Sequence, residues 1–309
     1  MRTYRSMRLL LLVNSSASSV TPRGRVLVQK ALAGVHEVTV AETYRRGHAT
    51  RLATAAAKSG VEIVVVLGGD GTLNEAANGL VGTDTVLAAL PGGSTNVFAR
   101  AIGLPNDPIK ATAAVLEAVG AGRIERVGLS SVNGRYFLFH VGVGFDAAVV
   151  ERVERRAELK RWAGHPMFIL SAVTTWIRHY DRSRPRFAIR SLEGTIVDDA
   201  YFAILLNTNP YTFLGNRPLS LMPEATLERA LGVVAFRTLT LPAMLWAVAA
   251  ALTRGSLRHQ RHLVYVTDLD EVTVEGYGPV PFQVDGDYLG EIEKLEFHFE
   301  PDALRLVRP

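Results

Sequence analysis

An unbroken apolar run, Ile63-Val64-Val65-Val66-Leu67, breaks directly into Gly68-Gly69-Asp70-Gly71-Thr72 and then into the helix-type segment Leu73–Leu80. A short continuous apolar run ended by glycine reads as a strand covered on both faces, because an alternating strand would leave one face polar. Such a strand needs a layer on each side, which points to a parallel sheet flanked by helices. The glycines let backbone approach a ligand closely, and the N-terminus of the following helix offers unpaired N–H groups to an anion. Asp70 is unwelcome beside phosphate unless Mg²⁺ stands between them, so it is the candidate metal ligand. Thr72 can donate a hydroxyl hydrogen bond, and Leu73, Asn74 and Glu75 complete the first helical turn. A plain strand-to-helix turn capped by Asp70 is the structural alternative.

One strand later the pattern repeats. Val86–Leu90 is a strand, Pro91-Gly92-Gly93-Ser94-Thr95-Asn96 a loop, and Val97–Ala101 opens a helix. In open α/β sheets ligands gather beyond the carboxyl ends of the strands, so the two loops together form a phosphate or sugar cradle. Neither is a Walker A loop and neither is a Gly-x-Gly-x-x-Gly fingerprint. The phosphate charge must then be met by backbone dipoles, hydroxyls and metal, without a P-loop lysine.

Strand–helix alternation extends over residues 1–126, through Leu9–Val13, Gly24–Ala33, Glu37–Ala41, His48–Lys58 and, after Pro108, Ile109–Val119. Beyond that point short strands dominate: Tyr136–Val143, Phe187–Arg190, Tyr201–Asn207, Val233–Thr238, Leu263–Val266, Glu271–Val274, Phe282–Val284 and Leu295–Phe299. Helical insertions are expected at Ala147–Tyr180 and Leu241–Leu257. The 309 residues suit two domains at about 150 residues each. The expected fold class is therefore α/β plus β. A three-layer α/β nucleotide-binding domain spans 1–126, and a β-sandwich-like domain with helical insertions spans 127–301.

No cysteine is present, which removes disulfides, thiolate nucleophiles and Cys-ligated metals and fits a reducing cytoplasm. The eight histidines show no paired metal spacing. His48, near the presumed phosphate side, can touch nucleotide, pack or cap. A net charge of +4 leaves no nucleic-acid footprint, and none is expected as a partner. The charge is uneven, however. Arg152, Arg155, Arg156, Lys160 and Arg161 adjoin the apolar Met167–Ile177, and Arg254, Arg258 and Arg261 adjoin Leu241–Leu252. Basic runs beside apolar helices suggest an anionic membrane surface, with solvated helix faces over core packing as the alternative. Trp162, Trp176 and Trp246 lie in or near these segments and suit either reading. Leu241–Leu252 falls well short of the roughly 20 residues that cross a bilayer. The apolar Leu9–Val13 behind Arg2, Arg5 and Arg8 is too short for a signal peptide and reads as a first strand. The expected location is cytoplasmic, peripherally membrane-associated.

The strings LGGDGTLNEAANGL (67–80) and LPGGSTNVFARAIGLP (90–105) resemble the diacylglycerol kinase catalytic-domain family, which includes bacterial lipid kinases and sphingosine kinases. TYRRGHATRLA (43–53), VGVGFDAAV (141–149) and VDGDYLGE (284–291) extend the resemblance over most of the chain. It implies ATP with Mg²⁺ as phosphoryl donor and a lipid substrate at an anionic membrane surface. The family's first nucleotide loop falls on Asn14-Ser15-Ser16-Ala17-Ser18, without its usual Pro and Gly. Its phosphate-side threonine falls on Thr43, and its second loop on Gly93, Ser94, Thr95 and Asn96. Residues 302–309 are expected to return to the first domain, as in the family.

The family's Asp-Gly-Glu motif falls on Asp285-Gly286-Asp287, which makes Asp285 and Asp287 the catalytic candidates. One would orient the acceptor hydroxyl and take its proton while the other holds a metal or the turn. From the residues alone the same triplet is also a hairpin turn. Asp285→Asn is expected to abolish transfer with little loss of folding. The family often carries a structural Mg²⁺ in the second domain; here Arg229 occupies the metal-binding Asp position and Ala230 the Gly. That site is expected to be metal-free, with the Arg229 guanidinium in place of the cation. The acceptor hydroxyl is most naturally that of diacylglycerol, giving phosphatidic acid. Sphingoid bases, glycolipids and polyprenols stay open, since Val141–Ala148 and Asn207–Leu221 do not discriminate among them. A soluble-substrate kinase of the NAD kinase or phosphofructokinase type and a non-catalytic nucleotide- or lipid-binding homologue are the alternatives. Oligomeric state is open, with a homodimer as the general expectation.

Overall fold

The computed structural model describes residues 5–155, 174–176, 180–181 and 183–309. Arg156, Lys160, Arg161, Trp162, His165, His179 and most of the Met167–Ile177 and Ala147–Tyr180 segments lie outside the described residues. The chain divides into two compact units, Met1–Gly128 with Pro301–Pro309, and Leu129–Glu300.

The first unit is built on β1 (Arg8–Val13), α1 (Pro22–Ala33), β2 (Glu37–Glu42), α2 (His48–Lys58), β3 (Ile63–Gly68), α3 (Asp70–Leu80), β4 (Val86–Pro91), α4 (Val97–Ala101) and α5 (Pro108–Gly120). Local chemistry sets the helix starts. Thr21 accepts from the Gly24 N–H at 3.0 Å and Asp107 from the Lys110 N–H at 2.8 Å, each followed by a proline in the first turn. The strands run parallel in the order β4-β3-β1-β2. Every residue of β3 and β4 is buried, as their unbroken apolar runs require, whereas the edge strand β2 is half-exposed. Right-handed crossovers put α1 on one face and α2 and α3 on the other. Accordingly α2 packs on α3, and α1 on α5. All four strands thus end at one edge of the sheet. The path turns one way after β1 and the other way after β3, so the ends of these neighbours form the topological switch point. At the C-terminus, Arg305 and Leu306 pair in parallel with Val86 and Leu87 of β4.

The second unit is mainly antiparallel. Two strands cross its boundary, β5 (Ile124–Val132) and the last strand, β16 (Asp287–Val307). Between them come β6 (Arg135–Phe137), β7 (His140–Gly144), α6 (Phe145–Arg155), β8 (Phe187–Ser191), β9 (Gly194–Ala200), β10 (Phe202–Leu206), β11 (Thr212–Leu214), β12 (Arg217–Leu219), β13 (Leu231–Phe236), α7 (Leu241–Thr253), β14 (Leu263–Leu269) and β15 (Glu271–Val284). A β-sandwich-like unit was expected; β15 takes part in both arms of one hydrogen-bonded sheet, and β11 and β12 pair apart from it. Val272–Gly276 pair with β8, while Phe282–Val284 pair with β7. Side chains from both arms, among them Phe187, Ile189, Val272, Val274, Val141, Val143 and Leu205, share one core.

Three further differences have physical causes. The expected strand Tyr136–Val143 is broken at Leu138 and Phe139, whose N–H groups bond a side chain instead of a neighbouring strand. The separate expectations Glu271–Val274 and Phe282–Val284 are one strand, irregular between Glu275 and Val280 where Gly276 and Gly278 lie. Strand β9 was not foreseen, because Asp198 and Asp199 interrupt its apolar pattern at a sheet margin.

Candidate active site

Each nucleotide-side candidate of the first unit follows the carboxyl end of a strand: Asn14–Ser18 after β1, Thr43 after β2, Gly68–Glu75 at and after β3, Gly93–Asn96 after β4. At the switch point the Asn14 backbone N–H donates to Leu67 O at 3.0 Å and the Asn14 amide donates to Thr72 Oγ1 at 2.8 Å. Asn14 Oδ1 also accepts from the Ser16 N–H at 3.1 Å, forming a tight Asx turn without the family's Pro and Gly. The Ser15 hydroxyl donates to Glu42 at 2.9 Å, whose carboxyl is held below its usual range by Ser15 and Arg25. Ser16 and Ser18 are exposed and Ala17 half-buried, while Thr43 is buried with its N–H on Val13 O at 2.9 Å.

The two glycine loops lie backbone against backbone. The Gly92 N–H donates to Gly68 O at 2.8 Å. A Cβ on Gly92 would stand 2.8 Å from Gly68 N, and one on Gly93 would stand 2.9 Å from Gly69 Cα. Asn96, at a left-handed φ of 52°, closes the second loop: its Oδ1 accepts from the Gly93 N–H at 2.7 Å, and its Nδ2 donates to Gly93 O at 2.9 Å. Ser94 is exposed and free of such closure. Ser19, which the sequence did not single out, ties the first loop to the second through Gly92 O and Gly93 O, both at 2.9 Å.

The helix starts at Asp70, inside the glycine string, so the N–H groups of its first turn have no intrahelical partner. Asp70 caps α4: its carboxylate accepts from the N–H groups of Val97 at 2.9 Å and Phe98 at 3.1 Å. The nearby Arg100 guanidinium, its pKa lowered by burial, feels the Asp70 charge in the opposite sense. These donors and that cation offset the carboxylate beside the loop. Leu73 and Asn74 are buried, the Leu73 N–H donating to Gly69 O at 3.1 Å and the Asn74 carbonyl accepting from Asn78 Nδ2 at 2.9 Å. Both Glu75 oxygens are engaged at the start of α2, by the Gly47 N–H at 2.7 Å and the Ala49 N–H at 3.1 Å. His48 is part of the same turn, accepting from the Tyr44 N–H at 3.3 Å. Two glycine loops packed backbone against backbone, with first-turn N–H groups and the Thr72, Ser94 and Ser16 hydroxyls beside them, make a cradle whose chemistry suits an anion.

In the second unit Asp285 and Gly286, at φ of 48° and 82°, form the two-residue turn between β15 and β16, with Val284 opposite Asp287. The Asp285 carboxylate is buried and accepts three backbone N–H bonds, from Leu138 at 2.7 Å, Phe139 at 3.0 Å and His140 at 3.1 Å. It therefore holds the gap between β6 and β7 as well as its own turn. An Asn there would set an amide donor against one of those donors, so the expectation of little folding loss for Asp285→Asn is corrected. Asp287 is half-buried and faces Arg135 at 3.5 Å.

Beneath this turn lies a polar network the sequence did not identify, although Asp146 sits in the VGVGFDAAV string. Fully buried Asp146 accepts from Gln283 Nε2 at 2.8 Å and from the Tyr211 hydroxyl. Burial raises its pKa, with the two hydrogen bonds acting the other way. Tyr211 is raised well above its usual value by burial and then by Asp146. Buried His140 lies 4.5 Å from the Tyr211 ring, centre to centre, and burial pushes its pKa down to about 3.

The residues do not fit the structural metal. Arg229 is paired with Asp268, donating from Nε to Oδ1 at 2.9 Å and from its terminal nitrogen to Oδ2. A bidentate guanidinium leaves that stretch with a resident cation already on its carboxylate. Among the described residues, no cluster of three or more His, Asp or Glu side chains is arranged to hold a metal ion.

Residues 8–131 match the family model of the diacylglycerol kinase catalytic domain. The chain is 28% identical over 284 residues to a diacylglycerol kinase of Bacillus subtilis (strain 168), covering 86% of this chain and 87% of that one. It is 27% identical over 303 residues to the "Probable lipid kinase YegS-like" of Pseudomonas aeruginosa (strain UCBPP-PA14), covering 97% and 94%. The fold matches a crystal structure of a diacylglycerol kinase from Bacillus anthracis str. Sterne with TM-score 0.73 at 18% identity, covering 98% and 97% of the two chains. Both glycine loops lie within residues 8–131, the part of the chain that is similar to the diacylglycerol kinase catalytic domain.

Proposed function

We propose that the protein is an ATP-dependent lipid kinase that transfers the γ-phosphoryl group to the hydroxyl of diacylglycerol. The observation that carries this reading is the pair of glycine loops after β3 and β4, joined by the Gly92 N–H to Gly68 O bond, with Asn14 tying the loop after β1 to Thr72 at the β1/β3 switch point. The phosphates would meet backbone N–H groups of Gly69–Thr72 and the open backbone of Gly92 and Gly93, with hydroxyls from Thr72, Ser94 and Ser16. Mg²⁺ carried with ATP supplies charge neutralisation at the transferring group. The chain's own contribution is a rigid cradle that fixes the phosphates.

The acceptor side belongs to the second unit. Asp285 is a positioning residue, because three N–H groups already occupy its oxygens. Asp287, half-buried at the end of the same turn, is assigned the acceptor hydroxyl's proton, with Arg135 orienting its carboxylate. Diacylglycerol as the acceptor is supported by the names of the relatives over most of the chain's length. The test is phosphoryl transfer from labelled ATP to diacylglycerol, a sphingoid base, NAD and a sugar under one set of conditions. Labelled phosphatidic acid as the main product is expected. Exclusive labelling of NAD or a sugar would reject the lipid reading, and labelling of another lipid would reject diacylglycerol alone.

A further inference from the structure

Helix α7, Leu241–Thr253, has no charged residue anywhere along it (LPAMLWAVAAALT), yet only one side is covered. Ala247, Ala250 and Ala251 are buried in a core with Leu221, Phe236 and Leu257. On the other side Leu241, Leu245, Val248 and Leu252 follow one another at i, i+4, i+7 and i+11, so they form a single stripe. They are 51%, 60%, 44% and 39% exposed, and Trp246 on the adjoining stripe is 64% exposed. A helix apolar all round is normally buried; this one packs Ala247, Ala250 and Ala251 into the core and presents Leu241, Leu245, Trp246, Val248 and Leu252 to solvent. Single exposed apolar side chains are ordinary, but five on one helix face form a patch of the kind that meets a partner.

The surroundings of the patch are basic. Exposed Arg254 caps the helix, and exposed Arg258, His259, Arg261 and His262 follow it. Arg217 is exposed on β12, the strand packed against α7. Arg258 is paired with Glu224 at 3.2 Å, whereas Arg217, Arg254 and Arg261 have no ion pair among the described residues.

We infer that α7 docks in the plane of an anionic lipid bilayer, its Leu/Trp face entering the acyl boundary while Arg254, Arg261 and Arg217 meet the headgroups. An apolar face with a basic margin is the chemistry of an interfacial helix, and an exposed tryptophan suits the headgroup level. No helix among the described residues is long and apolar enough to span a membrane, so this contact is a surface one. A second copy of the chain is the less suitable occupant, because its copy of this face carries the same basic margin, whereas an anionic bilayer supplies the opposite charge. The inference takes its purpose from the lipid-acceptor reading, but it is measured without nucleotide or acceptor.

The experiment is co-sedimentation of the full chain with vesicles of phosphatidylcholine alone and of phosphatidylcholine mixed with phosphatidylglycerol. The protein is expected to bind the anionic vesicles and to leave them as salt is raised. L245S/W246S, whose side chains lie outside the core, is expected to lower binding by about tenfold or more. R254E/R261E is expected to abolish the preference for anionic vesicles. Circular dichroism and thermal unfolding of both variants confirm that the fold is kept. No binding to anionic vesicles, or wild-type binding by both variants, overturns the inference. So does a wild-type dimer that L245S/W246S converts to a monomer, since a second copy would then own the face. Transfer to a short-chain acceptor in detergent micelles is the parallel reading. If it persists while vesicle binding is absent, docking alone has failed; if it is absent while binding persists, the kinase reading alone has failed.

Discussion

Replacing Gly92 by Ala tests the cradle most directly. The added Cβ would lie 2.8 Å from Gly68 N, 2.9 Å from Gly68 Cα and 2.8 Å from Val20 Cγ2, where ordinary contact begins at 3.4 Å. Two of these neighbours are backbone atoms of the other loop, which no rotamer change can move aside. The loops must part by about 0.6 Å, the difference between 3.4 and 2.8 Å. That stretches the Gly92 N–H to Gly68 O bond, 2.8 Å in the native protein, beyond good geometry. Losing the bond costs about 0.5–1.5 kcal/mol and the overpacking about 1–3 kcal/mol, so a destabilisation of about 2–4 kcal/mol is expected. Because the same backbone is assigned to the phosphates, the efficiency of ATP use should fall by about 10- to 100-fold, since displacements near 1 Å can cost about two orders of magnitude. Urea unfolding, with and without ATP, and initial rates against ATP concentration measure both quantities. Gly34→Ala is the control, with its nearest neighbours at 3.5 Å and an ordinary φ of −67°. A Gly92→Ala protein with wild-type unfolding and wild-type ATP dependence would refute the cradle.

Asp287→Asn should keep the fold, losing at most about 1 kcal/mol from a partly exposed ion pair, while turnover falls by about 100-fold or more in the labelled-ATP assay. Asp285→Asn should lower urea stability by about 1–3 kcal/mol as well as activity; wild-type stability would show that its three N–H bonds do not anchor the turn. His140 is neutral when folded, with its pKa pushed down to about 3, whereas the unfolded chain takes up a proton below about 6.5. Its contribution is complete above pH 6.5 and is lost as the pH falls, by about 2 kcal/mol at pH 5. Denaturation at pH 7 and pH 5 should show that loss in the wild type and not in His140→Asn; equal losses would refute the assignment. Without nucleotide, the unfolding midpoint should be the same in Mg²⁺ and in EDTA, because Arg229 already holds Asp268. A rise with Mg²⁺ that Asp268→Asn removes would overturn this.

The first unit was legible because its signals are local. A strand buried on both faces must be apolar throughout, and Ile63–Leu67 and Val86–Leu90 are. The starts of α1 and α5 are set just as locally, by a short polar capping side chain before a proline at Thr21-Pro22 and Asp107-Pro108, although the sequence pattern places those starts at Gly24 and Ile109. The second unit was harder to read because its decisive contacts are distant in sequence. The break at Leu138-Phe139 exists only because Asp285 captures their N–H groups, and nothing near residue 138 signals that. Likewise the burial that shifts Asp146, Tyr211 and His140 comes from strands far apart along the chain.

Residue types and spacing by themselves located the two glycine loops at strand ends, since glycines after apolar strands are a local backbone signal that needs no tertiary partner. The choice of Asp285-Gly286-Asp287 as the acceptor-side element came from the family resemblance, because the residues alone read equally as a hairpin turn. Only the tertiary structure decided how the carboxylates are used. Asp70, Glu75 and Asp285 look equally available in the sequence, but each is spent on backbone N–H groups of another segment, and Asp287 is not. It likewise decided that α7 turns Ala247, Ala250 and Ala251 inward and its leucines and tryptophan outward. A helix without a single charged residue carries no polar face to show which side is free; only the core packed against it does.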